Sequence, residues 1–370
     1  MTRLLIVDDS ALMRRLLGDL FAAAGGFEIA YARNGVEALG ELNVFKPDVI
    51  TLDVHMPEMD GLSCLDRIMV ERPCPVVMVS AMTEAGAEVT LEAIGLGAVD
   101  FIPKPGGAIS LKMDVLGPQL IEKVRAAAQA RLPKAHRLAE RLRLRRGELG
   151  MRSAPGRPAR LAPAGAPPPA EPPPLAGPFE GAVVVGTSTG GPPALDALLA
   201  PLPANFPRPI LVAQHMPASF TGPLARRLDR LCALTVLEVS RPIPLAPGHV
   251  YIGRGEADLI VGLRPAGLTA VPAPAKPEHR WHPSADRLVT SAIEQIGAQR
   301  LIGILMTGMG NDGAAGMTEL RRAGGRTIAE AEETAVVWGM PGELVRAGGA
   351  EFIVPLQEIA ARLLDLVPVR

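Results

Sequence analysis

Several features that would place a protein in a membrane or outside the cell are missing from this sequence. No apolar run reaches the roughly 18 residues that span a bilayer, and the segment MTRLLIVDDS reaches two aspartates within its first ten residues. A secretory signal has a longer apolar stretch at this point. We therefore expect a protein that is not embedded in a membrane and that acts in the cytoplasm.

The chain also has few cysteines and almost no net charge. The three cysteines, Cys64, Cys74 and Cys232, have no metal-ligand spacing and read as reduced packing thiols; a single reactive thiol is the alternative. The formal net charge is −1, which argues against a chain that binds nucleic acid or a membrane surface over its whole length. Residues 181–370 carry seventeen basic and seventeen acidic residues, so we expect no nucleic-acid partner.

The first part of the 370-residue chain alternates apolar runs with amphipathic segments. This alternation predicts a doubly wound parallel sheet, with Ser10 as the N-cap of the first helix. Strands are predicted at 4–7, 28–32, 48–53, 75–80 and 99–103, and helices at 10–24, 35–43, 62–70, 85–96 and 117–130. We place the domain boundary at residue 122.

Residues 123–180 change in character and read as a linker. From Arg131 to Arg146 there are seven basic residues and one acidic residue, and residues 151–180 contain ten prolines. Proline in this density predicts an extended, semi-rigid spacer. The basic stretch reads as a solvated continuation of helix and linker, with a docking element for an acidic partner as the alternative.

The α/β alternation resumes at 181 and predicts a second doubly wound domain over 181–370. The predicted strands are 182–186, 209–213, 249–252, 258–262, 301–306, 326–329 and 351–354. The predicted helices are 191–200, 219–231, 284–297, 313–323, 334–338 and 355–366. The fold class is thus α/β, with two doubly wound parallel-sheet domains, each a three-layer α/β arrangement, joined by a proline-rich linker.

Polar residues follow the strands of the first predicted sheet. Asp8 and Asp9 end the first strand, Asp53 the third and Ser80 the fourth, and Lys104 follows the fifth. The carboxyl ends of parallel strands meet at one edge, and clustered carboxylates attract a hard cation such as Mg²⁺. Taken singly, such an aspartate is more often a turn former or helix cap.

The ordered motifs IVDDS, LDVHMPEMDG, VSA and DFIPKP resemble the receiver domain of two-component response regulators over residues 1–107. The resemblance implies that Asp53 accepts a phosphoryl group and that Mg²⁺ is held by the side chains of Asp8, Asp9 and Asp53 with the backbone carbonyl of His55. It further implies a flavodoxin-like fold, with Ser80 and Phe101 as switch residues. The charge of Lys104, which follows the fifth strand, would neutralise the phosphoryl group.

Three motifs in the second half each follow an apolar run: GTSTGG with Ser188, QHMP with His215 and GMGNDGA with Asp312. A hydroxyl, an imidazole and a carboxylate make a hydrolytic triad. A phosphate-binding glycine loop is the alternative for GTSTGG, although no lysine follows it as in a P-loop. A purely structural role for His215 and a helix cap at Asp312 compete with the triad in the same way.

In order, GTSTGG, QHMPASFT, PGHVYIG, HPSADRL, LMTGMGNDGAAGM and VVWGMP resemble the catalytic domain of the chemotaxis protein-glutamate methylesterases, the CheB family. The resemblance covers 181–370 and implies Ser188 as nucleophile, His215 as base, Asp312 as the carboxylate that orients it, and the Met309 N–H as an oxyanion donor. VSRPIPLAP at 239–247 lacks an expected acidic residue, and Glu256 replaces a small or polar one, which leaves substrate preference and domain docking open.

The resemblance also implies partners. Methylated chemoreceptors would be the substrates, with receptor glutamine deamidation as a second reaction, and a histidine kinase of the CheA type would be the phosphoryl donor. Two rival functions remain open on the sequence. One is a receiver that switches a non-enzymatic binding domain, and the other is a DNA-binding response regulator, which the missing basic recognition helix disfavours.

Overall fold

The computed structural model of the chain describes residues 1–80, 83–104, 109–132 and 180–368. Most of the predicted linker, including the proline-rich segment, therefore lies outside the described residues. Residues 1–132 are called the amino-terminal region below, and residues 180–368 the carboxyl-terminal region. Both belong to the same compact unit.

The amino-terminal region is a five-stranded sheet of order β2-β1-β3-β4-β5, and each neighbouring pair of strands is parallel. Side-chain caps start its first four helices. Ser10, as predicted, accepts a hydrogen bond from the Met13 N–H at 3.4 Å, and Asn34, Asp60 and Thr83 begin the next three. The elements in chain order are β1 (Thr2–Val7), α1 (Ala11–Ala24), β2 (Phe27–Ala32), α2 (Gly35–Val44), β3 (Val49–Asp53), α3 (Gly61–Glu71), β4 (Val76–Ser80), α4 (Glu84–Leu96), β5 (Asp100–Pro103) and α5 (Ile109–Ala128).

Helix α5 differs in extent from the prediction. It starts earlier than residue 117 and continues past the boundary proposed at 122, as far as Ala128. Leu120, Val124 and Ala127 are buried and pack with Phe21 of α1 and Val49 of β3 in one core cluster. This apolar stripe at helical spacing holds the last turns of α5 against the sheet.

The carboxyl-terminal region contains a seven-stranded sheet of order β15-β14-β13-β6-β7-β10-β8, in which neighbouring strands are parallel. Strand β6 lies at its centre. The elements are β6 (Ala182–Thr187), α6 (Gly191–Leu199), β7 (Ile210–Gln214), α7 (Ala218–Leu231), β8 (Thr235–Val239), β9 (Ile243–Pro244), β10 (His249–Gly253), β11 (Ala257–Arg264), β12 (Gly267–Pro274), α8 (Ala285–Ile296), β13 (Leu301–Leu305), α9 (Ala314–Arg322), β14 (Arg326–Glu330), α10 (Met340–Arg346), β15 (Phe352–Val354) and α11 (Leu356–Leu366).

A small antiparallel sheet, of order β11-β12-β9, was not predicted. Strand β12 contains Pro272 and Pro274. Its sequence does not read as a strand, because proline cannot donate a ladder hydrogen bond. Both prolines are tolerated because β9 pairs only with Thr269 and Ala270 of β12, so the prolines lie beyond it. Strand β8 was also missed.

The helix predicted at 334–338 is wrong. These residues form a loop that runs beside the 307–310 segment, with a bridge between Gly308 and Trp338. The helix begins later, at Met340, with Pro341 in its first turn. Proline fits a first turn because the N–H that it lacks has no intrahelical partner there.

One of the core clusters runs through both regions. It contains Met78 and Phe101 of the amino-terminal region together with Leu195, Phe220 and Leu228 of the carboxyl-terminal region. The rings of Phe101 and Phe220 stack with centroids 4.1 Å apart. The contact between the two regions is therefore apolar and continuous with their cores. Among the helices that the structure describes, none is long and apolar enough to cross a membrane.

Candidate functional site

Three adjacent strands bring the predicted triad to one edge of the large sheet. Strand β6 leads into Ser188, β7 into His215, and β13 into the loop that carries Asp312. Because β6 lies between β13 and β7, their carboxyl ends open into one crevice, the usual ligand site of such sheets.

Asp312 is the most firmly held member of the three. Its Oδ2 lies 2.7 Å from His215 Nε2 and accepts the Ala285 N–H at 2.6 Å. Its Oδ1 accepts the Ser284 hydroxyl at 2.9 Å and the Asp286 N–H at 3.1 Å. The carboxylate thus sits at the amino terminus of α8, where backbone N–H groups favour negative charge.

The electrostatics of Asp312 follow from this geometry. Burial raises its pKa, but the hydrogen bond and charge of His215 and the amides of α8 outweigh burial, so the pKa of Asp312 is lowered. The carboxylate stays ionised and accepts the Nε2–H of His215. That tautomer leaves Nδ1 as the basic nitrogen of the ring.

Ser188 lies in the turn between β6 and α6. Its N–H donates to the Thr307 carbonyl at 3.0 Å, its carbonyl accepts the Gly191 N–H at 2.8 Å, and the His215 N–H donates to Thr187 next to it at 3.1 Å. Within the described parts of the chain, neither the Ser188 hydroxyl nor His215 Nδ1 has a hydrogen-bond partner. The two turns are brought together, but the hydrogen bond between hydroxyl and imidazole is not made in this structure.

Two backbone N–H groups beside Ser188 are available to a ligand. In the segments that the structure describes, the N–H groups of Met309 and Thr189 have no backbone acceptor. Gly308 packs so closely that a Cβ there would lie 2.8 Å from the Ser188 Cβ. The sequence predicts the Met309 N–H as an oxyanion donor. The structure adds the Thr189 N–H, since the residue after a nucleophile often supplies this donor.

Trp281 was also missed by sequence reasoning. Its indole lies parallel to the His215 ring, at 5° and 5.8 Å between centroids, and it covers Gly310, where a Cβ would come within 2.6 Å of it. The Arg280 guanidinium lies 5.1 Å from the centroid of the Trp281 ring and pairs with Glu122 of α5. The only sequence signal was the place of Trp281 beside the HPSADRL motif.

Glu330, at the end of β14, is a buried carboxyl that no motif singled out. It accepts the Thr307 N–H at 2.8 Å and the Thr334 hydroxyl at 3.1 Å. Burial raises its pKa to about 7. Thr307 in turn donates its hydroxyl to the Thr189 carbonyl at 2.9 Å. Glu330 therefore holds Thr307, and Thr307 holds the residue that follows Ser188.

The predicted acidic cluster is also assembled. Asp8, Asp9 and Asp53 bring one carboxylate oxygen each within 4.8 Å of the others, and Asp8 and Asp53 are buried. Lys104 Nζ lies 2.7 Å from Asp53 and 3.0 Å from Asp8. Burial and the charge of Asp8 raise the pKa of Asp53, although Lys104 opposes them.

Hard carboxylate oxygens in this arrangement fit Mg²⁺. The buried carboxylates of Asp8 and Asp53 repel each other and share one lysine, Lys104. A divalent cation would relieve this repulsion. The donor set therefore suits the cation that the sequence predicted.

The other residues predicted to act with this cluster are His55, Ser80 and Phe101. The His55 N–H donates to Asp53 Oδ1 at 3.4 Å, and its imidazole is exposed. The Ser80 hydroxyl donates to the Gly86 carbonyl at 3.3 Å. Phe101 is buried and stacks on Phe220, so this predicted switch residue lies in the contact between the two regions.

A hydrogen bond also joins the amino-terminal region to the turn that carries Ser188. The Thr189 hydroxyl, one residue after Ser188, donates to Asp100 Oδ2 at 2.5 Å. Asp100 immediately precedes Phe101 and also binds Lys123 Nζ at 2.9 Å. The first residue of the edge strand β5 therefore contacts the turn that carries Ser188.

Fold and site together define the class: a receiver domain packed on an α/β domain with a Ser-His-Asp site. Models of known families agree. Residues 4–115 match the response regulator receiver domain, and residues 183–363 match CheB methylesterase. The protein-glutamate methylesterase/protein-glutamine glutaminase 2 of Rhodopseudomonas palustris is 56% identical over 99% of this chain and 98% of its own length. The corresponding protein 3 of Rhodospirillum rubrum is 52% identical over 98% and 95%. The chain belongs to the CheB family of protein-glutamate methylesterases.

Two solved structures from Thermotoga maritima are also similar. The CheB methylesterase catalytic domain is 38% identical, covering 50% of this chain and 98% of that one, with a TM-score of 0.49. The response regulator domain of CheB is 44% identical over 35% and 98%, with a TM-score of 0.33. The family matches confirm the predicted α/β class with a receiver and a methylesterase domain.

Proposed function

We propose that the protein is a phosphorylation-activated esterase that hydrolyses glutamate γ-methyl esters on chemoreceptors. The observation that carries the proposal is the His215–Asp312 pair beside Ser188, at the carboxyl edge of a sheet in a chain of this family. The names of the two closely similar relatives describe the same pair of reactions, demethylation and glutamine deamidation.

In the proposed mechanism, Ser188 Oγ forms a bond to the ester carbonyl carbon while its proton passes to Nδ1 of His215. Asp312 holds the opposite nitrogen and stabilises the imidazolium. The C–OCH₃ bond then breaks, and methanol leaves with the proton from Nδ1. Water next attacks the glutamyl-serine ester, His215 again takes the proton, and glutamate and free Ser188 are restored.

The tetrahedral oxygen anion requires donors, and we assign this role to the N–H groups of Met309 and Thr189. Each such donor lowers the barrier by about 3–4 kcal/mol in comparable hydrolases. A glutamine side chain has nearly the shape of the methyl ester. The same steps with ammonia as leaving group give deamidation.

The receiver would control this reaction. A receiver domain contains a phosphorylation site that uses Mg²⁺, and the family match assigns such a domain to residues 4–115. We assign the phosphoryl group to Asp53 and the cation to Asp8, Asp9 and Asp53, with the His55 carbonyl as a further ligand. Lys104 would neutralise the phosphoryl group, and Ser80 and Phe101 would report it to the contact with Phe220.

The partners follow from the same proposal. Methylated chemoreceptors are the substrates, and a histidine kinase of the CheA type supplies the phosphoryl group in the cytoplasm.

The test of the proposal is methanol release from a methylated receptor by the wild-type protein and by Ser188→Ala. The substitution removes one hydroxyl that makes no hydrogen bond to a described residue, so it should leave the fold intact and abolish release. Release by the variant at a near wild-type rate would exclude Ser188 as nucleophile. No release by either protein, with Mg²⁺ and a small phosphoryl donor present to relieve inhibition by the receiver, would favour the rival in which the second domain only binds.

A further inference from the structure

Gln214 is the last residue of β7 and lies between the two turns that carry the nucleophile and the base. Its side chain is 2% exposed. The Nε2 group donates to the Ser188 carbonyl at 3.0 Å and to the His215 carbonyl at 3.1 Å. One buried amide group thus binds the backbone of both residues.

The orientation of this carboxamide is fixed by its partners. Both partners are carbonyl oxygens, which accept hydrogen bonds but cannot donate them, so only the NH₂ end can face them. The other end, Oε1, is buried without a partner among the described residues. Leaving a buried acceptor unpaired is unfavourable, and the two bonds at Nε2 are the contacts that the side chain gains in return.

The β6–β7 ladder stops just short of the two reacting residues. The last paired residues of the two strands are Thr187 and Gln214, and Ser188 and His215 follow directly. The His215 N–H reaches back to Thr187 at 3.1 Å, but no other described side chain bonds to the carbonyls of both Ser188 and His215. The Ser188 hydroxyl and His215 Nδ1 make no bond of their own to set their separation.

Gly191 leaves the space that Gln214 needs. A Cβ at this position would lie 1.9 Å from Gln214 Oε1 and 2.7 Å from the Thr187 hydroxyl. Its φ is not in the left-handed region, so its backbone would accept alanine. The constraint at position 191 is therefore steric and acts on Gln214 and Thr187.

From these contacts we infer that Gln214 is a positioning residue that sets the distance between Ser188 and His215 by binding both of their carbonyls. It acts through these two residues and touches neither substrate nor leaving group. The inference rests on the proposed esterase mechanism, because the distance matters only if Ser188 passes its proton to His215.

The experiment compares Gln214→Met with the wild-type protein in the full chain. Methionine keeps length and apolar volume but loses both donors. We expect kcat for receptor demethylation to fall about 10- to 100-fold, the loss typical of a small misplacement of reacting groups, while KM changes less than about twofold. Phosphonylation of Ser188 by a fluorophosphonate probe should slow by a similar factor, because it needs the same proton transfer.

Three further variants keep the inference open to refutation. Gln214→Glu has the same shape but at most one donor hydrogen, so it decides the matter if the methionine variant fails to fold. Gly191→Ala keeps the Gln214 carboxamide but pushes it out of its position. The kcat of this variant should fall while its KM is unchanged. Thr327→Val is the matched control: it removes buried hydrogen bonds near the start of β14, away from the site, and its kcat should stay at the wild-type value.

Each outcome has one meaning. Wild-type kcat and phosphonylation rate in folded Gln214→Met or Gln214→Glu would overturn the inference, as would a change confined to KM or an equal loss in Thr327→Val. A wild-type protein that neither demethylates nor reacts with the probe would refute the proposed function, and the role of Gln214 with it.

Discussion

At the scale of single residues, Asp312 carries the sharpest expectation, because four donors converge on its two oxygens. Asp312→Asn would bring an NH₂ group against the N–H groups of α8 or against His215 Nε2. The first arrangement opposes two donors, and the second favours the wrong imidazole tautomer; both lack the negative charge that stabilises the imidazolium. We expect kcat to fall by about 10⁴, as it does for the equivalent change in trypsin.

The measurement is steady-state demethylation of a methylated receptor, with circular dichroism as the check on folding. A folded variant that retains most of the wild-type kcat would show that Asp312 does not orient the base.

Trp281 gives a second expectation at this scale. Aromatic stacking contributes about 0.5–1.5 kcal/mol, so loss of the indole that lies parallel to His215 should lower kcat about two- to tenfold in Trp281→Ala. Trp281→Phe retains a ring and should stay near the wild-type value. Equal kcat values for the alanine and phenylalanine variants would contradict a role for the stack.

Sequence reasoning reached some of these residues and not others, for a physical reason. Ser188, His215 and Asp312 each follow an apolar run, and buried parallel strands are such runs, which fixes all three near strand ends. Trp281 precedes α8 by a loop, and its approach to His215 depends on tertiary packing. Gln214 is part of the QHMP motif. Its contact with Ser188 could not be predicted, because the contact depends on the pairing of β6 with β7.

At the scale of elements, β14 contains a titrating group that should couple pH to stability. Burial raises the pKa of Glu330 from 4.5 to about 7, so between these values the folded protein binds a proton that the unfolded chain has released. The free energy of unfolding contributed by this group therefore falls as pH rises from 4.5 to about 7, and the loss is complete above that range. By the linkage relation the loss reaches up to about 3 kcal/mol.

Glu330→Gln cannot ionise and should lack this loss. Urea unfolding of both proteins at about pH 5, near the lower end of this range, and at about pH 8, above it, measures the loss. The difference between the two proteins cancels other titrating groups. We expect the variant to gain stability over the wild-type protein at the higher pH relative to the lower. The same pH dependence in both proteins would show that Glu330 titrates normally.

The boundaries of elements were predicted least well where tertiary contacts override local pattern. The segment 334–338 reads as helical, but Trp338 and Val337 pair with Gly308 and Thr307 across the crevice. Strand β12 was hidden by its prolines. The parallel strands were predicted best, because strands buried on both faces are continuous apolar runs.

At the scale of the whole molecule, the receiver contacts the turn that carries the nucleophile. Thr189 binds Asp100, and Phe220 stacks on Phe101. We expect this contact to inhibit the unphosphorylated protein, so that the fragment 181–370 is more active than the full chain.

A hundredfold difference would correspond to about 2.7 kcal/mol, within the reach of one phosphoryl charge near a partly buried contact. Demethylation rates of fragment and full chain, at equal concentration on the same receptor, provide the measurement. Identical demethylation rates for the fragment and the full chain would show that the receiver does not inhibit the esterase.

The central claim is that phosphorylation at Asp53 activates hydrolysis at Ser188. Its most direct test is mass spectrometry of a methylated receptor peptide incubated with the full chain, Mg²⁺ and a small phosphoryl donor, beside the same reaction with Asp53→Asn. The account predicts that methyl groups are lost as methanol, faster with the donor than without it, and that the donor has no effect on the Asp53→Asn variant. Methyl loss that is absent from the wild-type reaction, or that the donor accelerates equally in the variant, would contradict it.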